Sequence, residues 1–308
     1  MKRNLYRIIV FILMSFILGC AAPRPAVYTG IPFSAAGRPK VALVLGGGAA
    51  RGFAHIGVIR VLERERIPID MIVGTSVGSL IGAIYASNAD SFELEWIAFS
   101  LEKEDIFDFS LFSSKTGPVK GDKLEKFVND HISARNIEEF SIPYYAVATN
   151  LNTGEAVVFD RGPVAKAVRA SSSIPGVFTP LVYEGTTLVD GGVLGNLAPE
   201  IARQKGADIV IAVDIGKNVV NQDTSNVIDI ILQAISIMSN KIDSYKQKDA
   251  DVLIAPSVGD VGMMDFTRKK ECMIAGMEAA REAIPAIQSL LIPPQPSPQD
   301  QSEMPSFP

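Results

Sequence analysis

The chain has 308 residues, a formal net charge of −5, 47% hydrophobic and 20% charged residues, two cysteines and two histidines. That length gives one large domain or two small ones with room for a substantial core, and the acidic balance removes any general electrostatic reason to bind nucleic acid. Two cysteines exclude a four-cysteine zinc site, and two histidines restrict any imidazole base to His55 or His131.

Residues 1–19 read as a secretory signal, with Lys2, Arg3 and Arg7 ahead of an apolar run over 8–18 that only Ser15 interrupts. The run is about half the ~20 residues needed to span a bilayer as a helix, which predicts a cleaved segment. Ile17-Leu18-Gly19-Cys20 resembles the lipobox of bacterial lipoproteins. That resemblance implies cleavage before Cys20, acylation of its thiol and new N-terminus, and stable membrane anchoring. With Ala21 next, it also implies the periplasmic face of the outer membrane. Losing residues 1–19 removes three positive charges, so −5 − 3 gives −8 for the mature chain. Residues 20–39, with Pro23, Pro25, Pro32 and Pro39, read as a tether. Residues 293–308, with six prolines, read as a disordered tail. One domain is expected over 40–292.

Within it, 41–45 is a continuous apolar run ending in glycines, as expected of a strand buried on both faces. The spacing of Phe53, Ile56, Ile59 and Leu62 predicts a helix over 53–66, stopped by Pro68. A strand at 71–73 and a helix at 77–86 follow, and the alternation predicts parallel βαβ units. Further strands are expected at 144–149, 156–159, 188–189, 209–214 and 252–255, and helices at 121–131, 163–171, 197–205, 224–246 and 268–289.

Ligands of open α/β sheets sit beyond the carboxyl ends of the strands, so the residues there carry the argument. Gly46-Gly47-Gly48-Ala49-Ala50-Arg51-Gly52 follows the first strand. It lacks the Lys-Ser/Thr of a phosphate loop, and Arg51 stands where a dinucleotide loop needs glycine. An oxyanion hole of unpaired amides fits it better. Gly74-Thr75-Ser76-Val77-Gly78 lies between strand and helix, the setting of a nucleophile elbow, with a helix cap as its plainer reading. Asp190-Gly191-Gly192 follows a third strand, where an acid could serve as base or merely make a turn. No histidine follows Asp190, and His55 lies one turn into the first helix, so a Ser-His-Asp triad is disfavoured.

The three motifs in this order resemble the patatin-like phospholipases, in particular the bacterial branch related to the catalytic domain of neuropathy target esterase. Residues 48–58, 170–178 and Met264-Asp265-Phe266 resemble further parts of the pattern. The resemblance implies a three-layer α/β/α sandwich with a mostly parallel sheet, Ser76 as nucleophile, Asp190 as its base, and an oxyanion hole from Gly47, Gly48, Ala49 and Arg51. Gly46, Gly52, Gly74, Gly78, Gly191 and Gly192 would be structural glycines of the site. The family glycine at position 49 is alanine here. The implied reaction is hydrolysis of fatty acyl esters of a phospholipid or lysophospholipid, without cofactor or metal. Val77, Leu80, Ile81, Ile84, Ile174, Val177 and Phe178 are candidates for an acyl groove, each equally a core residue. Acyl transfer through the same acyl-enzyme and a non-catalytic lipid-binding lipoprotein are the alternatives.

Overall fold

The computed structural model describes residues 37–108, 117–216, 219 and 225–292. The signal segment, Cys20, most of the tether and the tail lie outside them. By their contacts the described residues from Pro39 to Ile292 form one compact unit.

The strands are β1 (Val41–Leu45), β2 (Met71–Thr75), β3 (Tyr144–Asn150), β4 (Ala156–Phe159), β5 (Leu181–Tyr183), β6 (Thr186–Asp190), β7 (Ile209–Val213) and β8 (Val252–Ile254). The helices are α1 (Phe53–Arg64), α2 (Val77–Asn88), α3 (Ser91–Ser100), α4 (Lys103–Ile106), α5 (Asp122–His131), α6 (Val164–Ser171), α7 (Pro199–Gln204), α8 (Val227–Lys246) and α9 (Lys269–Leu291). The sheet runs β5-β6-β3-β2-β1-β7-β8, with β4 also paired to β3. From β3 to β8 every pair is parallel, whereas β4, β5 and β6 run antiparallel to their partners.

The apolar strands at the centre divide their side chains between two cores, as a period of two requires. Val41, Leu43 and Leu45 of β1 pack with Ile56, Ile59 and Leu62 of α1 on one face. Ala42 and Val44 meet Ile201 and Ala202 of α7 on the other. The three layers are therefore present, the second covered by a helix of only six residues. The helix predicted over 197–205 starts at Pro199, whose fixed φ suits a first turn. The one predicted over 224–246 starts at Val227, where the Asn226 side chain accepts the Asp229 amide at 3.0 Å. Helix α1 is buried almost all round because α9 lies against it at backbone distance: a Cβ on Gly57 would stand 2.0 Å from the Met273 carbonyl oxygen.

Helix α3 and strand β5 are absent from the sequence reading. In α3, Phe92 and Trp96 face solvent while Leu94, Ile97 and Ala98 are buried, so apolar residues stand all round and no period shows. Strand β5 is a three-residue edge, turned into β6 by Glu184 and Gly185, both with positive φ, as tight hairpins demand.

Candidate active site

Ser76 follows the last residue of β2 with φ 55° and ψ −126°, a conformation that L-residues rarely hold. Its hydroxyl makes no capping bond to α2, so the helix-cap reading does not apply. The flanking glycines are needed because α2 starts directly on the sheet: a Cβ on Gly78 would lie 2.1 Å from the Leu45 oxygen, and one on Gly74 2.5 Å from the Gly78 oxygen. The backbone amide of Ser76 donates to the Ser171 Oγ at 2.9 Å, and that hydroxyl donates onward to the Val147 oxygen at 2.6 Å.

The strand register brings the acid alongside. Thr75 pairs with Val147 and Asp190 with Ala148, so β2 and β6, on either side of β3, deliver Ser76 and Asp190 to adjacent rungs. Because β6 is antiparallel to β3, Asp190 does not follow the carboxyl-end rule of parallel strands. It meets Ser76 because β6 ends at the height where β2 does. Its Oδ1 accepts the Gly192 amide at 2.7 Å, which is the turn bond expected of Asp-Gly. Its Oδ2 is buried and, among the described residues, meets no donor in full hydrogen-bond geometry. Burial pushes the carboxyl up to about 6, against the opposing pull of the Gly192 amide and the Ser76 side chain. The Asp190 amide is held by the Ser173 oxygen at 2.9 Å, so the 171–173 serines brace both residues.

The glycine loop divides the four amides of the expected oxyanion hole. Gly47 donates to the Asn196 oxygen at 3.4 Å, and Arg51 donates to the Gly48 oxygen at 3.2 Å. Gly48 and Ala49 make no such bond among the described residues. Ala49 has φ 50°, the left-handed conformation in which the family pattern places glycine. Gly46 and Gly52 have packing roles, since a Cβ would stand 2.9 Å from the Val213 oxygen and 2.3 Å from the Val77 side chain respectively. The Arg51 guanidinium is buried and donates to the Ile215 and Val261 oxygens, tying neighbouring loops together.

Neither histidine belongs to this arrangement. His55 is buried, bonded through Nε2 to the Gly46 oxygen at 2.8 Å, and pushed down to about 4 by desolvation. His131 stacks on Phe127 at the end of α5. Among the described residues, no group of three or more His, Cys, Asp or Glu gathers to hold a metal ion.

Two cavities meet at Ser76. One is apolar and lined by Val77, Leu80, Ile81, Ile174 and Phe178. Ile84 and Val177, the other acyl-groove candidates, are core residues that do not reach it. The cavity also takes Phe53, Phe107 and Phe266, whose rings contact one another edge-on. The second is more polar and contains Asp190, Asn196, Ser236, Ser239 and Asn240.

Sequence reasoning missed this second wall. The Asn196 Oδ1 lies against Gly47 and Gly192, which only glycines permit: a Cβ on either would come within 2.8 Å of it. Asp243 holds that corner, accepting the Leu197 amide at 3.0 Å and the Asn196 Nδ2 at 3.3 Å, while the Ser239 hydroxyl donates to the Gly192 oxygen at 2.6 Å. The Asn196 position, four residues beyond the Asp-Gly-Gly motif, is the one local signal that could have pointed there.

Comparisons with known proteins bear on the family and the fold. Residues 43–203 match the family described as patatin-like phospholipase. A lysophospholipase NTE1 of Pyricularia oryzae is 37% identical over 181 residues, covering 58% of this chain and 12% of that protein. An uncharacterized NTE family protein of Mycobacterium tuberculosis is 41% identical over 180 residues, covering 58% of this chain and 49% of its own. The chain thus spans half or less of the length of these curated relatives. Among solved structures, VipD from Legionella pneumophila shares the fold, with a TM-score of 0.55 at 13% identity over 82% of this chain and 67% of that one.

Proposed function

The chain belongs to the patatin-like phospholipase family, and from that premise we propose that it hydrolyses fatty acyl esters of phospholipids or lysophospholipids through a Ser76-Asp190 dyad. The observation that carries this reading is the position of Ser76: strained, uncapped, beside a buried carboxylate, and at the junction of an apolar and a polar cavity.

The acyl chain occupies the apolar cavity and the glycerol and head group the polar one. The Ser76 Oγ attacks the ester carbonyl while the Asp190 Oδ2 takes its proton, and the Gly48 and Ala49 amides receive the oxyanion. Collapse of the intermediate breaks the ester bond, and the departing alkoxide recovers the proton from Asp190. Water then attacks the acyl-enzyme, giving its proton to Asp190, and collapse releases the fatty acid as Asp190 returns that proton to the departing Ser76 Oγ. Gly47 and Arg51 support the loop and donate nothing to the oxyanion, their amides being engaged. Cys20 is the anchor, lipidated after signal cleavage, which places the enzyme at the bacterial envelope on the periplasmic face of the outer membrane.

Hydrolysis of a short-chain soluble ester and of lysophospholipid by the full chain is the direct test. Ser76→Ala should remove both activities, by about 10³-fold or more, with the thermal transition retained. Activity surviving in Ser76→Ala would refute the nucleophile. Products that shift from free acid to a new ester when an alcohol acceptor is added would favour acyl transfer.

A further inference from the structure

Helix α8 packs across the carboxyl ends of the strands, against the Gly191–Leu194 turn, and not on a sheet face. Its inner side carries Leu232, Ile235, Ser239 and Asn240 into the polar cavity. Its outer side is apolar for three turns and exposed among the described residues: Val227 is 71% exposed, Ile230 54%, Ile237 50% and Met238 56%. The spacing 227, 230, 234, 237/238 puts these, with Ala234, on one stripe. In the next turns the stripe becomes Lys241, Tyr245 and Lys248, with both ammonium groups over the Tyr245 ring at 5.0 and 5.8 Å. Neither lysine is in an ion pair among the described residues.

We propose that the outer face of α8 is the surface by which this domain lies on a phospholipid membrane, holding the mouth of the polar cavity at the head-group layer. The inference rests on the lipid-ester reading above. An apolar stripe continued by an amphipathic aromatic and lysines is the composition of a helix lying in the interface, its cations meeting anionic head groups. Continuity favours a membrane, because the turns that expose the stripe also wall the cavity.

The test uses the full chain with Trp96→Phe and Ile237→Trp, so that the single tryptophan reports from α8. With vesicles of phosphatidylethanolamine and phosphatidylglycerol carrying brominated acyl chains, Trp fluorescence at 237 should shift to the blue and be quenched. The parent, whose only tryptophan is the exposed Trp96 on α3, should not be quenched. In parallel, the triple variant Ile230→Ser, Ile237→Ser, Met238→Ser should lose about tenfold or more in hydrolysis of unbrominated vesicles with soluble-ester turnover unchanged. An unquenched residue 237 would overturn the proposal, as would full vesicle activity in the triple variant. So would a doubled mass with a blue-shifted residue 237 in the absence of lipid, which would assign the face to self-association. Quenching does not depend on turnover. A parent chain inactive on soluble ester would therefore refute the hydrolase reading while leaving the α8 result standing.

Discussion

Burial acts on the two residues of the proposed dyad in different ways. For Ser76 it confines the hydroxyl to the two cavities that meet there, and for Asp190 it raises the carboxyl to about 6. A carboxylate at the ordinary value near 4 is a poor acceptor for a hydroxyl proton at neutral pH, and the raised value makes it a better one while leaving most of it ionised. The expected consequence is that kcat/KM on a soluble ester falls about tenfold per pH unit below 6 and is level above it. Asp243 is also raised to about 6, chiefly by burial. A carboxyl with a raised folded pKa binds more protons folded than unfolded between about 4 and 6, so neither group lowers stability as pH falls through that window. Circular dichroism at pH 5 should therefore show a folded chain, and an unchanged rate at pH 5 would exclude Asp190 as the base. The turns that carry Ser76 and Asp190 were legible in the sequence because small flanking residues mark both. The division of the oxyanion amides was not, because it depends on acceptors at Asn196 and Gly48 that only the folded loop supplies.

At the scale of elements, long apolar or periodic segments announced themselves, and their neighbours decided the rest. Strand β1 and helix α1 were readable from run length and spacing, but the sequence carried no sign that β6 runs antiparallel, although that reversal sets Asp190 beside Ser76. Nor does the spacing of α9 reveal how closely it approaches α1. There a Cβ on Gly276 would stand 2.0 Å from the Ala54 carbonyl oxygen, a rigid backbone atom. Gly276→Ala must push the two helices apart and should cost about 1–3 kcal/mol, lowering the thermal midpoint by several degrees. Gly262→Ala is the matched control, since its Cβ would meet only the Asp265 Cβ at 3.7 Å. Equal melting temperatures for the two variants would contradict this account of the α1–α9 contact.

For the whole molecule, the question is how the anchor proposed at Cys20 would let the site turn toward lipid. The chain enters β1 at Val41, and the glycine loop begins after Leu45, so the tether joins the domain at the end of the strand away from Ser76. The nineteen residues between Cys20 and Lys40 span at most about 65 Å when extended. A domain of roughly 250 residues has a radius of gyration near 18 Å and thus a diameter of about 45 Å. A tether of that length, if residues 20–39 act as proposed, would let lipidation supply local concentration while the outer face of α8 would supply orientation. The two contributions separate in Cys20→Ser. Without acyl chains the domain must find the bilayer from solution, and vesicle hydrolysis should fall by about 10²-fold at dilute enzyme, the order that a lost second attachment costs. Turnover of a soluble ester should not change, and metabolic labelling with radioactive palmitate should disappear. A Cys20→Ser chain that still incorporates palmitate would remove the anchor from this picture and leave α8 as the sole means of approach.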